Sequence, residues 1–419
     1  MGDRNMAMAR RVAAAVAAAG GRTYFVGGCV RDRLLGRENK DIDIEVHGVT
    51  VPALEAILDG LGERTVMGAS FGIMGLRHYD LDIAMPRSEK ATGRGHKDFE
   101  VFVDPFIGEE KAAMRRDFTM NALMQDVLTG EVLDFFGGRA DIVAGRIRHV
   151  SDVTFAEDPL RVFRAAQFAA RFDFTVAPET TAICASMAVE ALAPERVMGE
   201  LEKALMKAAR PSVFFRELRK MDRLSCWFSG LDALPQTVWE GVMSGLDAAA
   251  QLRPKAQRPL DFMLAAACAA FELPEAKRFI GRLTHAADAT KYVLNMVQRH
   301  GEMGRYLDAD PGEGGWMALF DAAACPEDLI LLERATRAAS REDWPRVEEG
   351  LRDRLELYRA RMDRPYVMGR DLVEAGVRPG PDMGKALAYA HGLRLAGVEK
   401  DGQLQRTLEW LGREADGDA

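Results

Sequence analysis

Gly27-Gly28-Cys29-Val30-Arg31-Asp32-Arg33-Leu34-Leu35-Gly36-Arg37, followed by Asp41-Ile42-Asp43-Ile44, is the stretch on which the reading of this 419-residue chain turns. Residues 23–26 before it read as a strand, and residues 30–35 inside it as a helix. Glycines placed after a strand let the backbone approach a ligand closely. The free N–H groups of the helix that follows attract phosphate, and Arg31 in its first turn adds a charged fork for a phosphate oxygen. Residues 41–46 alternate as a strand does, which puts Asp41 and Asp43 on one face. Two carboxylates held that way are costly unless a cation sits between them.

Hard divalent cations such as Mg²⁺ take carboxylate and phosphate oxygens together. Asp82, on one face of a later strand, supplies a third acid. The set is the equipment of two-metal nucleotidyl transfer. Gly27-Gly28 lacks the GxGxxG spacing and the chain holds no GxxxxGK[ST], so neither a dinucleotide fold nor a P-loop fits. A GG turn alone is usually only a turn, and an isolated DxD is usually solvated. The order strand, GG, helix with Arg, then strand with DxD is what carries the catalytic reading.

Working outward, the first ~150 residues mix short strands with helices. Residues 51–61 form an amphipathic helix with a Gly stop. Residues 72–76 and 81–85 are neighbouring strands joined by a polar turn. Residues 87–96 are a charged, Gly-broken loop, and 99–103 and 133–136 are further strands. From Pro159 onward helical periods recur at 160–172, 195–207, 213–221, 260–271, 286–299, 329–338 and 346–361, with almost no strand signal. The fold class is therefore α+β, a mixed-sheet head followed by an all-helical remainder. The final eight residues read as a frayed tail.

Composition agrees with a globular protein: 48% hydrophobic residues, with a net charge of −8 that argues against a protein coating nucleic acid but leaves room for a local basic face. The five cysteines, Cys29, Cys184, Cys226, Cys268 and Cys325, are scattered without a CxxC spacing, against a zinc site or disulfide framework. The Ala-rich N-terminus reads as a helix capped at Gly20-Gly21 rather than a signal peptide. No stretch is long and charge-free enough to span a bilayer. The expectation is a cytoplasmic protein without membrane or DNA partners.

Residues 27–44 resemble motif A of the class II tRNA nucleotidyltransferase and poly(A) polymerase family. Further matches follow in the family's order. Arg115-Arg116-Asp117-Phe118-Thr119-Met120-Asn121-Ala122 resembles motif B. Phe155-Ala156-Glu157-Asp158-Pro159-Leu160-Arg161-Val162-Phe163-Arg164-Ala165 resembles the nucleotide-selecting helix start. Glu195-Arg196-Val197 with Glu200-Leu201 resembles the next helix, and Met368-Gly369-Arg370-Asp371-Leu372 with Arg378-Pro379-Gly380-Pro381 resembles a tail segment. The matches cover most of residues 23–207 and a piece of the tail; about 209–363 carries none.

The resemblance implies a polymerase-β-like head at 1–150, a helical neck that selects nucleotides at 151–210, a helical body at 211–365 and a tRNA-binding tail at 366–419. It implies metal binding by Asp41 and Asp43, with Asp82 as a further catalytic acid. Gly28 and Arg31 would touch the triphosphate, and Arg116, Asp117 and Asn121 the sugar and phosphates. For Asp117 a salt bridge with Arg115 or Arg116 is the alternative. Glu157, Asp158, Arg161 and Arg164 would meet the nucleotide. The implied activity is addition of C, C and A to a tRNA 3′ end from CTP and ATP with Mg²⁺. Relatives that add only A or polyadenylate RNA share these motifs, and a non-catalytic RNA-binding protein is the reading of a different class. Some relatives carry a phosphohydrolase with paired His-Asp ligands; no His-Asp dipeptide occurs here, so that activity is not expected. A loop at the position of residues 87–97 serves terminal A addition in the family, and here it looks full length.

Bonding arguments bear on residues 157–161 independently. Cytosine and adenine show an exocyclic amine beside a ring-nitrogen acceptor; uracil and guanine show the reverse. An acceptor carboxylate beside a donor guanidinium therefore suits C and A, and Asp158 and Arg161 lie three apart on one helical face. Glu157, four before Arg161, is placed to hold the guanidinium. Asp158 before Pro159 is equally a helix N-cap.

Overall fold

The computed structural model describes residues 2–37, 42–67, 73–91, 99–337 and 342–416. Helix α1 (Gly2–Ala18) opens the chain and ends where Gly20 adopts φ +85°. Strand β1 (Arg22–Val26) leads into α2 (Gly28–Leu34), then β2 (Ile42–His47), α3 (Val51–Leu61), β3 (Arg64–Met67), β4 (Ile73–Leu76), β5 (Leu81–Ala84), β6 (Arg87–Ala91) and β7 (Phe99–Val103). After them come α4 (Glu109–Met114), β8 (Met124–Asp126), β9 (Val132–Leu133), α5 (Gly138–Val143) and β10 (Arg146–Ile147). Among the described residues the main sheet runs β3-β4-β5-β2-β1-β8-β9. It is mixed: β2 pairs parallel with β5 and antiparallel with β1.

The strand alternation does the positioning. On β2, Ile42, Ile44 and Val46 are buried on one face, while Asp43, Glu45 and His47 share the other. Helix α1 packs on β1, β2 and α3. Its buried stripe, Ala9, Val12, Ala13 and Val16, follows the helical period and places it over the sheet.

The neck helices are α6 (Asp152–Ala156), α7 (Leu160–Phe172), α8 (Pro178–Ser186) and α9 (Pro194–Lys207), with the short β11 (Thr175–Val176) paired to β10. Helix α7 has the bounds that periodicity predicts. Phe168 on it meets Phe118 edge-on at 5.7 Å, and Phe118 meets Phe155 of α6 at 5.6 Å. Such pairs contribute about 1 kcal/mol each beyond their buried area.

The chain divides into two compact units: Met1–Ala204 with Val213–Trp227, and Leu205–Ser212 with Phe228–Ala419. In the second, the helices Gln236–Leu252, Pro259–Ala267, Ala287–Asp308 and Pro326–Arg337 pack on one another. Pro381–Leu395 and Lys400–Asp416 build on a small cluster of Val367, Leu372, Ala386 and Ala390.

Several sequence expectations need correction. The charged stretch 87–96 is not loop from its start: Arg87–Ala91 is a strand, registered residue by residue against Phe99–Val103. Residues 92–98 lie outside the described set. The strand expected at 133–136 is only Val132–Leu133. The helix expected at 286–299 continues to Asp308, since nothing after Arg299 breaks it. The expected frayed tail is helical to Asp416. No helix among the described residues is long and apolar enough to cross a membrane.

Candidate active site

Gly27 joins β1 to α2 with φ +63° and ψ −127°, a backbone open to glycine alone at little cost. A Cβ there would stand 3.1 Å from a guanidinium nitrogen of Arg116. The turn thus places Arg116 beside the loop that the sequence singled out. Gly28, half-buried, begins α2.

Asp43 on β2 lies in register with Asp82 on β5. Register partners on neighbouring strands share a face, so these two carboxylates belong to one face of the sheet. Asp43 is half-buried and Asp82 exposed. Asp41 lies outside the described residues, so its predicted pairing with Asp43 is carried by the sequence alone. Among the described residues no three His, Cys, Asp or Glu side chains gather in a metal-binding group.

Two places further along the same face, Glu45 is buried. It accepts from Arg116 at 3.0 Å and bonds the His47 imidazole at 2.9 Å. Burial pushes its carboxyl up, but His47 and Arg116 outweigh that and hold it below the ordinary value. Sequence reasoning missed Glu45. The signal was available, since it continues the every-other-residue series from Asp41 and Asp43.

Arg31 is buried and turned inward. Its Nε donates to Asp32 at 2.8 Å and its Nη1 to Asn121 at 2.6 Å. The guanidinium lies over the rings of Phe168 and Phe172. Asn121 in turn donates to Asp117 Oδ1 at 2.9 Å, and the Phe118 N–H reaches the same oxygen at 2.8 Å. Arg164 of α7 donates its Nε to Asp117 Oδ2 at 2.7 Å, and its Nη1 stands 3.7 Å from Glu200 of α9. Arg31, Asn121, Asp117 and Arg164 thus form one bonded chain from α2 to the neck. The alternative of Asp117 pairing with Arg115 or Arg116 is overturned. Arg116 goes to Glu45, Arg115 stands 3.9 Å from Glu157, and Asp117 binds Arg164. Burial pushes the Asp117 carboxyl up, yet Arg164, Asn121 and the Phe118 amide hold it below the usual value.

These depressed carboxylates set a pH dependence. Asp117 and Glu45 release their protons more readily folded than unfolded, so the stability they add is full above the unfolded value of about 4 and fades as pH falls through the lower folded values. Thermal melting should therefore hold steady from pH 7 to about 4 and drop steeply below. The acid-side drop should be shallower in Asp117→Asn. An identical acid slope in that variant would remove Asp117 from the account.

At the start of α7, Arg161 donates to two backbone carbonyls, those of Thr154 and, at 2.8 Å, Arg115. Its expected brace, Glu157, stands instead 3.9 Å from Arg115. Burial lowers the Arg161 pKa against the pull of Asp117, Asp158 and Glu157. Asp158 Oδ1 accepts from the Leu160 N–H at 3.1 Å, but the N-cap position of α7 is Pro159 rather than Asp158. Both its oxygens also accept from Arg196 of α9, at 3.1 and 2.9 Å. Arg196 and Glu200 were quoted from sequence only as a helix resemblance; the structure adds their partners, Asp158 and Arg164.

Residues 23–148 match the model of the poly A polymerase head domain. A multifunctional CCA protein of Cupriavidus metallidurans is 42% identical over 223 residues, covering 51% of this chain and 52% of that one. Its namesake in Stenotrophomonas maltophilia is 44% identical over 220 residues, with 51% and 52% covered. The chain spans about half the length of these relatives. Among solved structures, a CCA-adding enzyme in apo form II superposes with a TM-score of 0.73 at 22% identity, covering 96% of this chain and 95% of that one. The Thermotoga maritima CCA-adding enzyme complexed with tRNA gives 0.69 at 21%, with the same coverage. The fold, a mixed-sheet head followed by helices, is theirs. The head match and the curated relatives agree with the motifs by which residues 23–207 resemble the class II tRNA nucleotidyltransferase and poly(A) polymerase family.

Proposed function

We propose that this chain is a CCA-adding tRNA nucleotidyltransferase, extending a tRNA 3′ end by C, C and A from CTP and ATP without a nucleic-acid template. The observation that carries the reading is the shared face of Asp43 and Asp82, flanking a Gly27 turn that holds Arg116. The names of the relatives support the choice of CCA addition within the family.

Carboxylate oxygens on adjacent in-register strands are the donors a hard cation takes, so these residues, with Asp41, fit Mg²⁺. A divalent ion bound there supplies activation of the 3′-hydroxyl and neutralises charge on the departing pyrophosphate. Asp41 and Asp43 hold the site's negative charge in place, with Asp82 as the third acid. The 3′-oxygen forms its bond to the α-phosphorus as the bond to pyrophosphate breaks. Arg116 beside Gly27 and Gly28 faces the phosphates. Asp117, fixed by Arg164 and Asn121, offers an acceptor to a ribose hydroxyl.

Arg31 acts on this reading through its bonds to Asn121 and Asp32, holding the α2 start in place. Asp158 and Arg161 read the base, with Glu157 beside them. The head at 1–150 performs the transfer and the neck at 151–210 selects. The body at 211–365 and tail at 366–419 grip the tRNA by shape and phosphate.

Arg161→Ala should loosen base choice. Its discrimination between CTP and UTP should fall on the order of a hundred-fold, read by single-turnover incorporation of each nucleotide. Unchanged choice would leave Asp158 as an acceptor for the Leu160 N–H and Arg161 as a tie between Thr154 and Arg115. The central test uses three tRNA transcripts: lacking CCA, ending in C, and ending in CC. Each is incubated with Mg²⁺ and CTP, ATP or both. Completion of CCA followed by arrest supports the proposal. Extension of only the CC transcript by one A identifies an A-adding specialist, and a long A tract identifies a poly(A) polymerase.

A further inference from the structure

Arg161 is held from behind by two carbonyls that come from different elements. Arg115, whose carbonyl is one, closes α4 in the head; Thr154, whose carbonyl is the other, belongs to α6. A guanidinium is a rigid planar fork of N–H donors. Fixing two of them on acceptors sets the direction in which the others point. The aim of Arg161 therefore depends on where α6 stands relative to the end of α4.

Helix α6 does not hold that place by itself. Its five residues are too few for a helix stable on its own. Its N-cap, Ser151, reaches the Thr154 N–H only at 3.5 Å. Contacts from outside fix it. Phe155 packs against Phe118, and the Thr154 hydroxyl donates to the Met114 carbonyl at 2.9 Å. Asp152, the first residue of the helix, meets Nε2 of the His149 imidazole at 2.5 Å. That bond fixes the end of α6 that the other two contacts do not touch.

His149 is a firm post for it. It is buried, its backbone N–H donates to the Thr180 hydroxyl at 3.0 Å, and its Nδ1 bonds the same oxygen at 2.7 Å. Its ring packs on Phe155 with centroids 5.3 Å apart, and Thr180 of α8 is itself fully buried. Asp152 is the opposite, with its side chain 86% exposed. A pair with one partner so well solvated adds little to stability, so its effect lies in orientation. We infer that His149 and Asp152 are positioning residues for base selection: their bond pins the start of α6, and with it the Thr154 carbonyl that aims Arg161. The inference rests on the proposed role of Arg161 in reading the base. Asp43 and Asp82 take no part in it, so selection should suffer while the chemical step does not.

Single-turnover incorporation of CTP and of UTP into a tRNA transcript lacking CCA, by the full chain with Mg²⁺, tests it. The variants are Asp152→Ala, Asp152→Asn, Arg161→Ala, and Asp152→Ala combined with Arg161→Ala. Asp152→Ala should lower the preference for CTP over UTP about tenfold, less than Arg161→Ala does, because the Met114 and Phe118 contacts remain. The loss should appear as weaker apparent CTP binding, with the rate at saturating CTP within about twofold of wild type. Asp152→Asn keeps an acceptor oxygen and should keep the preference. The double variant should select no worse than Arg161→Ala alone, since a residue that acts through Arg161 then has nothing to act on. A wild-type preference in Asp152→Ala beside a lowered one in Arg161→Ala overturns the inference and leaves the reading of Arg161 standing. A further drop in the double variant, or equal losses in Asp152→Asn and Asp152→Ala, also overturns it. An unchanged preference in Arg161→Ala overturns the reading itself, and the inference with it.

Discussion

Asp43→Ala should lose nucleotide incorporation by about a thousand-fold or more, the upper end for removing a single preorganised charged group, while tRNA affinity stays within a few-fold. The separation follows from where Asp43 sits. It is half-buried on β2, in register with Asp82 on a face that also carries Glu45. Its carboxylate shares a face with other acids, and a bound cation offsets their mutual repulsion. Removing it relieves repulsion in the resting protein, so folding should be unharmed and melting unchanged or slightly raised. The same outcome is expected of Asp41→Ala. Quenched-flow incorporation of labelled ATP, beside a filter-binding curve for tRNA, measures both quantities. Near-normal incorporation in Asp43→Ala would sink the metal assignment.

Asp117→Asn should do the reverse and damage the fold as well as the reaction. Asp117 is buried and answers Arg164, Asn121 and the Phe118 amide together. An amide retains an acceptor oxygen but loses the charge that balances Arg164. Breaking a buried pair from one side costs about 3–5 kcal/mol. The lower end applies here because Arg164 keeps about 30% of its side-chain exposure and has Glu200 nearby. Urea unfolding should show the loss as a lower midpoint with an unchanged slope. If stability is unaffected, the chain from Arg31 to Glu200 is ornamental to the fold and its members are free for nucleotide.

The part of the site that sequence made legible is the part written by local periodicity. Alternation placed Asp43 on a strand face, and the apolar period of residues 160–172 gave α7 its bounds, because a single chain repeat decides each. What stayed hidden were choices among distant partners. Arg116 selects Glu45, 71 residues away, and Arg164 selects Asp117, 47 residues away. Asp117 had two arginines next to it in sequence, yet Arg115 still closes helix α4 and the chain bends after it, so Arg115 and Arg116 turn toward Glu157 and Glu45 instead. The strand Arg87–Ala91 escaped for another reason. Its residues Arg-Ser-Glu-Lys-Ala hold no alternating apolar signal, and only the backbone ladder to Phe99–Val103 declares it.

Helix α6 spans only Asp152–Ala156, yet it supplies the Thr154 carbonyl on which Arg161 rests. It is anchored by Phe155 against Phe118 and by His149 against Asp152. An enzyme that copies a nucleic-acid template stores its instructions in another molecule, which survives when the enzyme is warmed. In the proposed reading this chain stores them in one and a half turns of helix, and a short helix loosens well before the sheet behind it. Errors in the added base should then rise with temperature before speed declines. For such a protein, accuracy has a melting point of its own.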